Sequence, residues 1–192
     1  MQERLFSAAC ADCWAQAVAA PTTPAWRFDW IVPADDAAPL AAAGLPDAAD
    51  RALRLGATVP TTAPALLLSR PALPALRGLS LKMESGPAWQ GYFGVQLTLR
   101  SAASSPLPAG ASAWLALVEQ VSAGSDGTPV ARSLVRSVAG PLPLDSLKPG
   151  QATTYLRALR WPAGAEPTRL QARAWIESAA GQLLAVAADQ CR

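Results

Sequence analysis

Between Leu79 and Ala188 the chain repeatedly alternates apolar with polar residues, and each run is closed by Gly, Pro or Ser. A period of two broken by frequent turns points to antiparallel β structure. The runs predict strands at Leu79–Glu84, Tyr92–Arg100, Ala113–Ser122, Val130–Val138, Thr153–Trp161, Arg169–Glu177 and Gln182–Ala188. Phe93, Val95, Leu97 and Leu99 share one face of their strand, as do Leu170, Ala172, Ala174 and Ile176. Asp126-Gly127 and Ala180-Gly181 mark hairpin turns. Seven strands at this spacing predict a seven-stranded antiparallel β-sandwich over residues 76–192, of immunoglobulin or fibronectin architecture. This stretch holds one cysteine, so the Cys–Trp–Cys signature of true immunoglobulin domains is absent.

Residues 1–75 read differently. Glu3–Ser7, Trp26–Val32 and Ala65–Ser69 have the apolar or aromatic character of short strands. Cys13–Ala20 is a good helix former stopped by Pro21. Asp47–Leu55 starts on Asp, pairs Asp50 with Arg54 one turn on, and stops at Gly56. The order is β-α-β-α-β. Net charge also changes here, from −2 over residues 1–75 to +4 over residues 76–192. Two domains are therefore expected, 1–75 and 76–192. With no Gly/Ser linker between them, they are expected to pack together as an α+β chain.

Composition removes several function classes. There is no histidine, which excludes Ser-His-Asp triads, Cys-His dyads, imidazole acid–base catalysis and His-based zinc sites. A formal charge of +2 gives no case for nucleic acid as a partner. No run of about 18 apolar residues occurs, so no membrane span is expected. Asn is absent, Lys occurs only at 82 and 148, and the basic residues are otherwise Arg, the codon bias of a GC-rich bacterial genome.

The motif with chemistry is Cys10-Ala-Asp-Cys13, set between a predicted strand and a predicted helix. A thiol at a helix start faces unpaired N–H groups and the positive end of the helix dipole, and both favour thiolate. A lowered pKa makes Cys10 the attacking thiol and a good leaving group, with Cys13 one turn later as the resolving thiol. Asp12, inside the motif, either opposes the thiolate or is a solvated first-turn acid.

The strand–CxxC–helix–strand–helix order resembles the thioredoxin family. So does Gly56-Ala-Thr-Val-Pro-Thr61 ahead of Ala65-Leu-Leu-Leu68, which is similar to the family loop whose cis-proline precedes the next strand. The resemblance covers residues 3–70. It implies a small thioredoxin-like β-α-β-α-β unit, thiol–disulfide exchange with a protein partner through Cys10 and Cys13, and Pro60 beside the disulfide, with Pro64 as the competing proline. No cofactor or metal is implied. The whole plan is similar to secreted bacterial proteins that join such a unit to a C-terminal sandwich. A periplasmic or secreted location is therefore expected, with Met1 standing where a signal peptide has been removed. The departures are specific. Arg70-Pro-Ala-Leu-Pro74 leads straight into the sandwich, Trp14 follows the motif rather than preceding it, and Ala9 precedes it. The family's buried acid falls near Arg4, with Glu3 the only acid close by.

Other readings stay open. The cysteines are alternatively a structural staple in a non-catalytic envelope binding or scaffold module. Three thiolates including Cys191 alternatively bind Cu(I), which takes soft ligands. Cys191 is either a third redox partner or a terminal free thiol. Trp175, placed beside Arg173 on an outward strand face, is either a sugar-stacking residue or ordinary packing.

Overall fold

The computed structural model describes residues 1–16, 26–68, 78–102 and 107–189. In chain order the elements are β1 (Gln2–Ser7), α1 (Ala11–Ala15), β2 (Arg27–Val32), α2 (Pro46–Arg54), β3 (Ala65–Leu68), β4 (Leu79–Trp89), β5 (Tyr92–Ser101), β6 (Ser112–Val121), β7 (Arg132–Pro143), β8 (Ala152–Arg160), β9 (Leu170–Glu177) and β10 (Leu183–Ala188). Two sheets form. One has seven strands in the order β10-β9-β6-β7-β2-β1-β3, and the other has three, β4-β5-β8.

This overturns the expected fold class. The chain is mostly β, and it is not a thioredoxin-like β-α-β-α-β unit packed on a separate seven-stranded antiparallel sandwich. The strands expected over 79–188 lie where β4–β10 are found, but β6, β7, β9 and β10 share a sheet with β1, β2 and β3. The reason is local to β2. Its free edge pairs in parallel with β7 at Asp29 and Leu134, and the backbone N–H of Ser133 donates 2.6 Å to the Asp29 carboxylate. Alternation within a strand says which face is buried; it does not say which edge finds a partner.

The chain divides into two compact units, each discontinuous: Met1–Ser69 with Val118–Arg136, and Arg70–Leu117 with Ser137–Arg192. The bounds between the units fall within β6 and β7.

In the first unit, β1 is buried along its whole length although it carries Gln2, Glu3 and Arg4. It pairs in parallel with β2 (Gln2 with Arg27 through Ser7 with Val32) and antiparallel with β3. Burying Glu3 and Arg4 requires partners, since an unpaired charge in the interior is costly. Arg4 pairs with Asp29 of β2, Nη2 lying 2.8 Å from Oδ2 and Nε also donating to Oδ1. Glu3 takes both donors of a bidentate contact from Arg51 of α2, at 2.8 Å each. Pro46 and Asp47 open α2 as Pro and an acid usually open helices, and Arg51 fixes the helix to the sheet.

In the second unit the inner face of the three-stranded sheet supplies Met83, Phe93, Val95, Leu97, Leu99 and Leu159 to one core, shared with Leu115 and Leu117 of β6, Leu142 of β7, Ala172, Ala174 and Ile176 of β9, and Leu184 of β10. The rings of Trp114 and Trp175 stack 5.9 Å apart and nearly parallel, and the Trp175 indole donates 3.2 Å to Glu177. Trp175 is therefore core packing, and the outward face expected for it, with Arg173 and Glu177, is buried.

Candidate functional site

β1 ends at Ser7 and the chain turns at once into α1, with Cys10 as the N-cap. The backbone N–H of Cys13 donates to Cys10 Sγ at 3.1 Å, so sulfur takes the place of the hydroxyl that usually caps a helix. Cys10 and Cys13 are joined in a disulfide, their Cα atoms 5.3 Å apart. Cys10 is 7% exposed and Cys13 fully buried. Both belong to a small core with Phe6, Ala8, Trp14, Ile31, Val121 and Leu134.

The helix is shorter than expected. It ends at Ala15, where Gln16 adopts an extended conformation; the remainder of the expected helix, residues 17–20, lies outside the described residues. Three contacts fix this one turn. The Trp14 indole donates 2.9 Å to the carbonyl of Asp126, and its ring meets the Phe6 ring edge-on at 5.4 Å. Asp126 and Gly127 both have positive φ, the tight turn their sequence predicts, and that turn presents the carbonyl. Arg132 Nη2 donates to the carbonyls of Trp14 at 2.6 Å and Gln16 at 2.9 Å, satisfying carbonyls left open where the helix stops. Its Nε donates 3.0 Å to Thr128. The guanidinium lies 4.9 Å from the Phe6 ring centre and 5.0 Å from that of Trp14. Burial pushes the Arg132 pKa down to about 10; Asp29 opposes that fall and Arg4 adds to it.

The other side of the disulfide faces the segment before β3. Cys13 Sγ lies 3.8 Å from the carbonyl oxygen of Thr61. Pro60 and Thr61 are exposed. Pro60 is thus one residue from the atom that approaches the disulfide. Its peptide bond is not the cis bond that the resemblance implies, because the cis bond among the described residues joins Gly140 and Pro141. The buried acids of this unit among the described residues are Glu3, Asp29 and Glu119, and each is engaged by an arginine. Cys191 lies outside the described residues. Among the described residues no group of three or more His, Cys, Asp or Glu is placed to hold a metal ion.

Sequence reasoning placed Cys10 and Cys13 together and brought Pro60 near them. It missed Arg132 and the role of Asp126. Asp126 had a signal, its Asp-Gly turn, and Thr61 stood in the quoted loop beside Pro60; Arg132 acts through long-range contacts that no local pattern carries.

No family model matches this sequence, and no curated protein matches it. Among solved structures, a domain of the outer membrane lipoprotein Omp28 from Porphyromonas gingivalis is similar at 10% identity and a TM-score of 0.39, over 65% of this chain and 96% of that one. No helix among the described residues is long and apolar enough to cross a membrane.

Proposed function

We propose that this chain performs thiol–disulfide exchange in the bacterial cell envelope through Cys10 and Cys13, with a protein thiol or disulfide as partner. The observation that carries the reading is the asymmetry of the bridge: Cys10 retains some exposure while Cys13 has none, and the Cys13 N–H points at Cys10 Sγ. In the reduced protein that N–H stabilises a Cys10 thiolate, which is the nucleophile. The thiolate attacks one sulfur of a substrate disulfide, forming a mixed disulfide and expelling the first substrate thiolate. Cys13, on losing its proton, attacks Cys10 Sγ and expels the second. The substrate gains two electrons and two protons, and the Cys10–Cys13 bridge is re-formed. Run backwards, the same steps oxidise a dithiol. The exposed segment at Pro60 and Thr61 lies beside Cys13, the resolving thiol. A disulfide in a resting protein accords with an oxidising compartment, periplasmic or secreted.

The test is reduction of insulin by a dithiol. Cys10→Ser is expected to abolish turnover, and Cys13→Ser to trap a mixed disulfide on Cys10. Equal rates for wild type and Cys10→Ser overturn the reading.

One observation favours a second reading. Both cysteines belong to a core cluster, and the buried acids near them are held in ion pairs. On that reading the bridge is a staple in a non-catalytic envelope module, and it resists glutathione.

A further inference from the structure

β1 and β2 are adjacent and parallel, and their last paired residues are Ser7 and Val32. The chain therefore leaves both strands at the same edge of the sheet, at points about 4.8 Å apart. Cys10 comes three residues after Ser7, and Asp35 three residues after Val32. The loop after β2 stays at this edge, because both its ends bond to Ala8. Ala8 N–H donates 2.9 Å to the carbonyl of Val32, and Leu40 N–H donates 3.1 Å to the carbonyl of Ala8. Within the loop Ala38 N–H donates 3.0 Å to the Asp35 carbonyl, and Ala38 packs against the core cluster that holds Cys10 and Cys13. In sheets with parallel strands, ligand sites form outside the carboxyl ends.

The charges at that edge have one sign. Four segments are joined to it: residues 8–16 around the disulfide, 33–40 closed on Ala8, 56–64 with Thr61 against Cys13, and 122–131 with Asp126 against Trp14. Their charged residues are Asp12, Asp35, Asp36 and Asp126; none is Lys or Arg. All four are exposed. Arg4, Arg51 and Arg136 are each paired with a buried acid, and Arg132 is buried against Trp14. Arg27 begins β2, at the opposite edge. Arg51 reaches Glu3 near the start of β1, so α2 runs back from the disulfide edge and carries Arg54 away from it.

We propose that the partner of the Cys10–Cys13 bridge is a polypeptide with Lys or Arg flanking its own disulfide or dithiol. This rests on the exchange reading above and names the substrate class of that site. Two effects act together. The aspartates attract a cationic segment over a Debye length, about 8–10 Å, which raises the encounter rate. At contact, the partner's cation offsets Asp12, whose charge beside Cys10 opposes the thiolate. An acidic partner meets both effects with the opposite sign. In the reducing direction the Cys10 thiolate bonds to one partner sulfur and expels the other, and Cys13 then displaces the partner from Cys10. Two electrons pass to the partner disulfide, which leaves as two thiols after taking the Cys13 proton and one from water. Among the described residues no group of three acids is placed to hold a metal ion, so the edge suits spread positive charge rather than a point cation.

The test uses the reduced full chain and three peptides that share one disulfide, flanked by lysines, by serines or by glutamates. Each second-order rate of reduction is divided by that of dithiothreitol, an uncharged thiol, with the same peptide. At about 20 mM salt the lysine peptide is expected to react about tenfold faster than the serine peptide, and the glutamate peptide slower than both; at about 0.5 M salt the differences shrink to about twofold. Asp35→Asn combined with Asp36→Asn is the second protein. Asn keeps the side-chain oxygen that accepts from the Ala37 N–H at 3.1 Å, so the loop is retained while the preference for lysine falls severalfold. A preference that the double variant keeps in full overturns the assignment to this edge. Equal normalised rates for the three peptides, abolished by Cys10→Ser, overturn the proposal and leave the exchange reading standing. Reduction of no peptide beyond the level of Cys10→Ser overturns both.

Discussion

The Arg132 guanidinium stacks on the Trp14 ring at 5.0 Å and donates to the Trp14 carbonyl at 2.6 Å, so one side chain holds both the indole and the backbone of the same residue. A one-turn helix has too few internal hydrogen bonds to persist by itself. α1 therefore depends on Arg132 at its end, and the geometry of the disulfide depends on α1. Arg132→Met leaves the carbonyls of Trp14 and Gln16 without this donor and is expected to cost about 3 kcal/mol, read as a lower urea midpoint. Arg132→Lys keeps the charge but loses the planar fork, and is expected to fall between the two. An unchanged midpoint in Arg132→Met contradicts this role.

The pair formed by Glu3 and Arg51 is buried on both sides. Glu3→Gln leaves a buried guanidinium facing a neutral amide, and a loss of about 3–5 kcal/mol is expected. Replacing both residues, Glu3→Leu with Arg51→Met, removes the stranded charge and is expected to recover most of that loss. A double variant no more stable than Glu3→Gln goes against this account.

Gly140 has φ +153°, and a Cβ built on it would come within 2.5 Å of the Trp114 ring. That ring is buried and stacked on Trp175. Gly140→Ala is expected to cost about 2 kcal/mol or more through overpacking and backbone strain. A melting temperature equal to wild type is the contrary result.

Asp189 accepts a hydrogen bond from the Ser85 hydroxyl, and its pKa is raised above 3.8, first by burial and then by Glu84. An acid with a raised folded pKa holds its proton longer in the native state than in the unfolded one. Its contribution to stability therefore falls as pH rises from 3.8 through the raised value. Asp189→Asn is expected to remove that fall, so the variant gains on wild type as pH rises through this window. Urea midpoints measured from pH 3 to pH 7 check it; parallel curves contradict it.

Much of the local structure was legible in the sequence. The alternation of Phe93, Val95, Leu97 and Leu99 gave their shared face, and all four are buried. Asp126-Gly127 gave its turn, and Cys10 with Cys13 gave the bridge. The architecture was not legible, because it turns on which strand edge β2 meets. The single paired position, Asp29 with Leu134, bridges more than a hundred residues. Trp175 misled for a related reason: alternation placed it outward, and only a sheet covered on both faces makes outward positions interior. Arg132 carried no local sign because its partners at 14 and 16 are far away in the chain.

The exchange reading is tested most directly by the potential of the Cys10–Cys13 bridge, measured by differential alkylation and mass spectrometry across a glutathione series. The account predicts that the bridge opens within the glutathione range, above about −300 mV, with Cys10 forming the mixed disulfide with glutathione. A bridge that stays closed throughout the series, or a glutathione adduct on Cys13 instead, contradicts it and leaves the disulfide as a staple.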